Sequence, residues 1–360
     1  MMAKNSLAAR LYSGQVSYDF VGRRNRWYVI SGIIVLVAIA GLFTRGLNLG
    51  LDFVGGSQFQ VKTTATVEQG RAAAKSAGIP DAVVTKVGND KLQWRTTTLD
   101  SNTLTDVVKT LATTFKVNEA DIATESVGPT WGKEITSKAF QGLVVFLILV
   151  ALFLSIYFQW QMALAALFAL AHDLIITVGI YALSGFEVTP ATVIGVLTIL
   201  GFSLYDTVVV FDKVRENTAG LLKTARMTYS DAANLALNQT LVRSINTSII
   251  ALLPVASILV IGVGFLGAGT LKDLALALFV GTIAGTYSSI FVATPFLAQI
   301  RERNPQMAAL AKRVSARRAA DADRAAGIEP TTDVESANAI PMRQVGERAQ
   351  PKRNIPRSKR

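Results

Sequence analysis

The sequence predicts an α-helical membrane protein with six transmembrane helices and a small α+β domain inserted between the first and the second. Three observations lead there. Of 360 residues, 51% are hydrophobic and only 17% are charged, which is too apolar for a soluble domain of this size. The apolar residues fall in long runs, each sufficient to cross a hydrocarbon core of about 30 Å. Between the first and second runs, strand-like alternation and helical periodicity take turns.

The runs place spans at residues 27–44, 139–157, 162–184, 190–211, 245–265 and 273–299. The first shows no small-residue cleavage pattern and reads as a retained anchor. Spans two and three are joined only by the residues around Gln159-Trp160-Gln161, so they are antiparallel neighbours. Spans three and four are joined by residues 185–189, and spans five and six by a glycine-rich turn over 262–269. Gly281 and Gly285 form a small-xxx-small pair that suits close helix packing.

The inserted domain, residues 45–138, is predicted in the order strand, helix, strand, strand, helix, strand. Strands cover 57–63, 82–87, 91–97 and 122–127, and helices cover 66–76 and 101–115. This is the βαββαβ order of a ferredoxin-like domain. Asp100 or Ser101 suits the cap of the second helix. Gly78-Ile79-Pro80 and Gly88-Asn89-Asp90 supply turns. The domain is entered through Gly50-Leu51-Asp52-Phe53-Val54-Gly55-Gly56, whose paired glycines suit a tight turn with close backbone approach. It is left through Val127-Gly128-Pro129-Thr130-Trp131-Gly132-Lys133-Glu134, with Trp131 suited to the membrane interface.

Charge sets the orientation. Residues 1–26, the loop 212–244 and the tail 300–360 together hold 24 of the 36 Lys and Arg residues, so these segments are expected in the cytoplasm and 45–138 outside. The net charge of +11 follows this bias, and a nucleic-acid partner is not expected. The loop 212–244 carries a helical pattern over 230–241 that would lie along the membrane. The tail, rich in Ala, Arg, Pro and Asp, is expected to be disordered. The absence of cysteine excludes disulfides and thiolate chemistry.

The informative site is a carboxylate inside an apolar helix, Asp206 in span four. An acid there is neutral, paired or facing water within the bundle, and each option makes it a candidate for proton handling. Ser203, Asp206 and Thr207 share a helical face by their i, i+3 and i+4 spacing. Arg243 opens span five from the same side, and a charge pair with Asp206 is within reach of its long stem. The same residues also fit a static buried pair that fixes helix register. Asp173 in span three, beside His172, the only histidine, either extends a proton path or accepts local hydrogen bonds while His172 packs. Glu187 lies near the outer surface. His172, Asp173 and Glu187 lack a paired metal-ligand spacing, so no metal and no cofactor are expected. Asp212, Lys213, Arg215 and Glu216 read as a solvated helical end with local ion pairs. An enzyme would need a nucleophile with an activating base, which His172 does not supply.

Five stretches carry a resemblance to the SecD/SecF family of protein-export membrane proteins, on the side of its smaller subunit. They are Gly50 to Gly56, Val127 to Glu134, Ala171-His172-Asp173, Leu197 to Asn217 and Gln239-Thr240-Leu241-Val242-Arg243. The resemblance implies half of a transporter of the resistance-nodulation-division (RND) superfamily, paired with SecD. It implies use of the proton motive force to draw preproteins from the SecYEG channel after SecA, with YajC as a further candidate partner, in the cytoplasmic membrane. It implies Asp206 as the proton-linked aspartate and Arg243 as its partner. Tyr205 stands where Asn is common in the family. The alternative within the superfamily is a proton-coupled exporter of small molecules or lipids.

Overall fold

The computed structural model describes residues 17–87, 90–263 and 272–326. The turn at Gly88-Asn89, most of the glycine-rich turn before span six, the basic residues Lys4 and Arg10 and the tail from 327 lie outside the described residues. Six helical stretches are long and apolar enough to cross a membrane among those described: Arg24–Arg45, Thr130–Tyr157, Trp160–Ser184, Pro190–Thr224, Tyr229–Ile261 and Lys272–Glu302.

The first of them, α1 (Arg24–Arg45), leads into a two-residue strand β1 (Asn48–Leu49) and a single turn α2 (Leu51–Val54). The inserted domain follows as β2 (Gly56–Lys62), α3 (Val67–Ser76), β3 (Val83–Val87), β4 (Lys91–Thr96), α4 (Ser101–Phe115) and β5 (Ala123–Val127). All pairings in the sheet are antiparallel, and its order β3-β4-β2-β5 is the ferredoxin-like arrangement. Alternation sends Phe59 and Val61 of β2 to the side where Leu92 and Trp94 of β4 lie, and all four are fully buried. Val107 and Leu111 of α4 and Ala73 and Ala74 of α3 close over them. Trp94 Nε1 donates to the Gly70 carbonyl of α3 at 2.8 Å, which satisfies its polar atom inside the core. Thr66 and Gln69 form a reciprocal capping box on α3, and Asp100 caps α4 by accepting from Thr103 N at 3.3 Å.

The paired glycines at the entrance have a local reason. Gly55 and Gly56 adopt φ of 76° and 128°, a region where side chains are strained. A Cβ on Gly56 would also stand 2.4 Å from the Thr96 carbonyl.

The remaining spans follow as α5 (Pro129–Tyr157), α6 (Trp160–Ser184), β6 (Glu187–Val188), α7 (Pro190–Thr218), α8 (Leu221–Thr224), α9 (Tyr229–Ser257), α10 (Lys272–Ser288), α11 (Thr294–Glu302) and α12 (Pro305–Ala325). Burial is concentrated in α6, α7 and α10, whereas α1, α5 and α9 keep most of their apolar surface outward. The Gly281–Gly285 pair explains how α10 lies so near α7. A Cβ on Gly281 would stand 2.3 Å from Ile199, and one on Gly285 would stand 2.7 Å from the Ser203 Cβ.

Three expectations are corrected. The helix of the second span starts earlier than expected: Gly128 caps α5 and Pro129 takes its first position, ten residues before 139. The loop 212–244 is much shorter, because α7 runs on to Thr218 and α9 begins at Tyr229. Residues 230–241 are therefore no separate surface helix. Ala232, Ala233, Ala236 and Leu237 are buried in the bundle core. The tail is not disordered from residue 300: α11 reaches Glu302 and α12 follows at Pro305, with Leu310 and Val314 buried. Alanine is the best helix former, so a stretch poor in bulky residues still coils once two apolar side chains anchor it.

The inserted domain is tied to the bundle by polar contacts. Strand β1 pairs in parallel with β6 between α6 and α7. Arg95 of β4 forms an ion pair with Glu187 of β6 at 2.5 Å and donates to Asn48 Oδ1 at 3.3 Å. Burial pushes the Glu187 carboxyl up, and the Arg95 charge pulls it back only in part. For a raised carboxyl the folded state holds the extra proton, so its contribution to stability declines as pH rises from the ordinary carboxylate value through the raised one. Glu187→Gln is expected to flatten that limb of the pH–stability curve. Arg95→Ala leaves a half-buried carboxylate without its partner and is expected to cost about 1–3 kcal/mol, read as a fall in the thermal midpoint of the detergent-solubilised protein.

Candidate functional site

Helix α7 turns a polar face into an apolar bundle. Ser203, Asp206 and Thr207 are all buried, on the face the i, i+3, i+4 spacing predicts. Because α7 continues to Thr218, Asp206 lies twelve residues from that end, about 18 Å along the axis. The charged turns beyond Phe211 form the local pairs expected of a solvated end: Lys213 with Glu216 and Arg215 with Asp212, each at 2.8 Å.

Asp206 lines a small cavity between α7, α9 and α10, of about 40 Å³. Its polar walls are Ser203 and Asp206 from α7, Thr247 and Ser248 from α9, and Thr282 and Thr286 from α10. Thr286 Oγ1 donates to Ser248 Oγ at 2.7 Å, closing the α9–α10 side. Phe202, Tyr205 and Ala251 complete the wall.

Arg243 is near Asp206, but its guanidinium does not close on the carboxylate. It is exposed, and Nη2 donates to the Tyr205 hydroxyl at 3.2 Å. The physical reason is the rotation of α7: Asp206 is buried on the cavity, while Tyr205, one residue earlier, stands at the cavity's exposed rim, where Arg243 runs. Ser244, which follows Arg243, is buried beside Asp206. Further along α9, Asn246 is exposed, while Thr247 and Ser248 line the cavity.

Asp173 of α6 is the most enclosed acid of the site, with its side chain fully buried. Its Oδ2 accepts from Ser203 Oγ at 2.5 Å and from Ser288 Oγ of α10 at 2.8 Å. Its Oδ1 lies 3.2 Å from His172 Nδ1. One carboxyl thus joins α6, α7 and α10. His172 is buried and stacks on Tyr287, whose hydroxyl is bonded to Ser31 of α1 at 2.9 Å. Directly after Ser288 the chain widens into a π-helical turn over Ser289–Ala293, a feature frequent where a helix serves a site.

The structure therefore gathers Asp206, Ser203 and Asp173 into one polar tract, with His172 at its far side. It leaves Arg243 at the rim and separates Glu187, which belongs to the Arg95 contact. Among the described residues no group of three His, Asp or Glu side chains is placed to hold a metal ion. Reasoning from the sequence missed Ser288, Ser248 and Thr286. One signal was present: Gly281, Gly285 and Ser288 recur at i, i+4 and i+7, so the hydroxyl lies on the same face that packs against α7.

Comparison with known proteins gives consistent matches. The model of the C-terminal region of protein export membrane protein SecD/SecF matches residues 107–303, and the SecD/SecF GG motif matches residues 40–67. The chain is 50% identical over 335 residues to the protein translocase subunit SecF of Streptomyces coelicolor, covering 92% of this chain and 90% of that one. It is 44% identical over 337 residues to the SecF of Mycobacterium tuberculosis, covering 88% and 74%. The crystal structure of SecDF, a translocon-associated membrane protein from Thermus thermophilus, superposes with a TM-score of 0.72 at 32% identity over 80% of this chain. The chain spans 39% of the length of that SecDF.

Proposed function

The chain belongs to the SecD/SecF family of protein-export membrane proteins, and from that premise we propose that it couples proton movement to a late stage of preprotein translocation. As a SecF-type subunit it is a multi-pass membrane protein with a transport role, partnered by SecD. The finer reading places it in the cytoplasmic membrane with both termini inside, acting on chains leaving the SecYEG channel after SecA, with YajC as a further candidate partner. The side of the bundle that holds most of the basic residues supports that orientation.

The observation that carries the coupling is the buried Asp206 carboxyl on a polar cavity, with the Arg243 guanidinium bonded to Tyr205, the residue just before it. A carboxylate in a low-dielectric bundle is stabilised by a nearby cation and destabilised without one. Arg243 swinging between Tyr205 and Asp206 would exchange a proton for a helix displacement. The inserted domain, held by the Arg95–Glu187 and β1–β6 contacts, is the element such a displacement would move.

The test is export into membrane vesicles carrying the full chain and its SecD partner, with and without an imposed proton gradient. The gradient is expected to speed release of the translocated preprotein. Release unaffected by the gradient would remove the coupling. Gradient-driven efflux of small molecules or lipids, with normal preprotein release, would favour the exporter reading instead.

A further inference from the structure

Two buried acids of this site sit on opposite sides of one serine. Asp206 lines the cavity between α7, α9 and α10, and so does Ser203. The Ser203 hydroxyl in turn donates to Asp173 at 2.5 Å. The cavity, at about 40 Å³, exceeds the ~10–15 Å³ of comparable volume that one water requires, and a buried water also needs two to four polar partners. Ser203, Asp206, Ser248 and Thr286 provide them. Gly285 keeps the passage open: a Cβ there would stand 3.0 Å from Ser203 Oγ.

We propose that this cavity is a water site which, with the Ser203 hydroxyl, relays a proton between Asp206 and Asp173, making Asp173 a second proton station. The inference rests on the proton-coupling reading of Asp206 and deepens it. The transfer balances without any co-reactant. The Asp206 carboxyl O–H breaks and its proton passes to the water. The water passes one of its protons to Ser203 Oγ, while the Ser203 O–H breaks toward Asp173 Oδ2. Asp206 ends as the carboxylate and Asp173 as the acid, with the serine and the water restored. Ser288 keeps its own hydrogen bond to Asp173 throughout and holds the accepting carboxyl in place. The charged or titratable groups around the relay are His172, next to Asp173 on α6, Tyr287 of α10 stacked on that ring, and Arg243 with Tyr205 at the Asp206 end. His172 Nδ1 faces Asp173 Oδ1, so the imidazole stands against whichever charge the carboxyl carries.

The relay makes Ser203 and Ser288 unequal, although each gives Asp173 one hydrogen bond. In the full chain reconstituted with its SecD partner, Ser203→Ala is expected to slow gradient-driven preprotein release about tenfold or more. Ser288→Ala is expected to slow it clearly less. Ser203→Gly, which leaves room for a second water in place of the hydroxyl, is expected to recover a substantial part of the loss. Equal losses in the two alanine variants would reduce the cluster to a structural clamp and overturn the relay, as would an unimpaired Ser203→Ala. If Ser203→Ala fails to co-purify with SecD, infrared difference spectra of the unsubstituted complex decide. Two carboxyl bands that titrate, one removed by Asp206→Asn and one by Asp173→Asn, support the second station. A single band, removed by Asp206→Asn alone, overturns it. Failure of the underlying reading looks different: gradient-driven release would then persist in Asp206→Asn itself.

Discussion

Asp206→Asn is expected to abolish the gradient-driven part of preprotein release while leaving assembly with SecD intact. The amide has nearly the volume and shape of the carboxyl, so the α7–α9–α10 packing around it has no reason to change. What it loses is the exchangeable proton and the negative charge. If Asp206 served only as a buried hydrogen-bonding group, the amide would serve almost as well, and the rate would fall by a small factor. If it carries the proton, the loss is on the order of a hundredfold or more in the gradient-dependent rate. The comparison to make is release with and without the gradient, in vesicles matched for the amount of complex. A gradient response that survives in the variant would remove the motor reading, however the residue is placed.

Much of the architecture was legible because it depends on patterns that survive in one dimension. Runs of apolar residues place spans, and alternation around Phe59, Val61, Leu92 and Trp94 places strands. Helix ends were less legible. Apolar character stops near Phe211, but the backbone ladder continues through the ion-paired turns to Thr218. Taking hydropathy as the limit of the bundle likewise left residues 230–241 on the membrane surface, although they are the buried start of α9, and 305–325 in a disordered tail, although they form α12. Asp206 stood out because one acid in an apolar helix has few explanations. The fate of Arg243 did not, because spacing fixes a residue's face on its own helix but not the rotation of α9 against α7. A rotation that sends Asp206 inward sends Tyr205 outward, and the guanidinium meets the phenol first. Asp173 could be seen as buried, but its partners come from three separate stretches of chain, around residues 172, 203 and 288, and only packing brings them together.

The inserted domain offers the sharpest test of how function is divided along the chain. Trp94→Ala is expected to unfold this domain while the helical bundle stays intact. Trp94 is fully buried at the centre of the sheet, packs 5.5 Å from the Phe115 ring and anchors α3 through the Gly70 carbonyl. Truncating a buried Trp costs about 3–5 kcal/mol. A domain of this length has roughly 4–12 kcal/mol in all, at 0.05–0.15 kcal/mol per residue. The bundle has its own core, drawn mainly from α6, α7 and α9, and does not use the residue. Limited trypsin digestion of the full chain in membranes should therefore cut near Lys86, Lys91 and Arg95 in the variant but not in the unsubstituted protein. The spans should stay protected, and SecD should still co-purify. Trp94→Phe retains most of the packing and should resist cleavage. If the motor drives transport through this domain, Trp94→Ala should lose gradient-driven release while proton exchange at Asp206 persists in the infrared spectrum. Full release from a chain whose inserted domain is unfolded would mean that the domain is not the moving part.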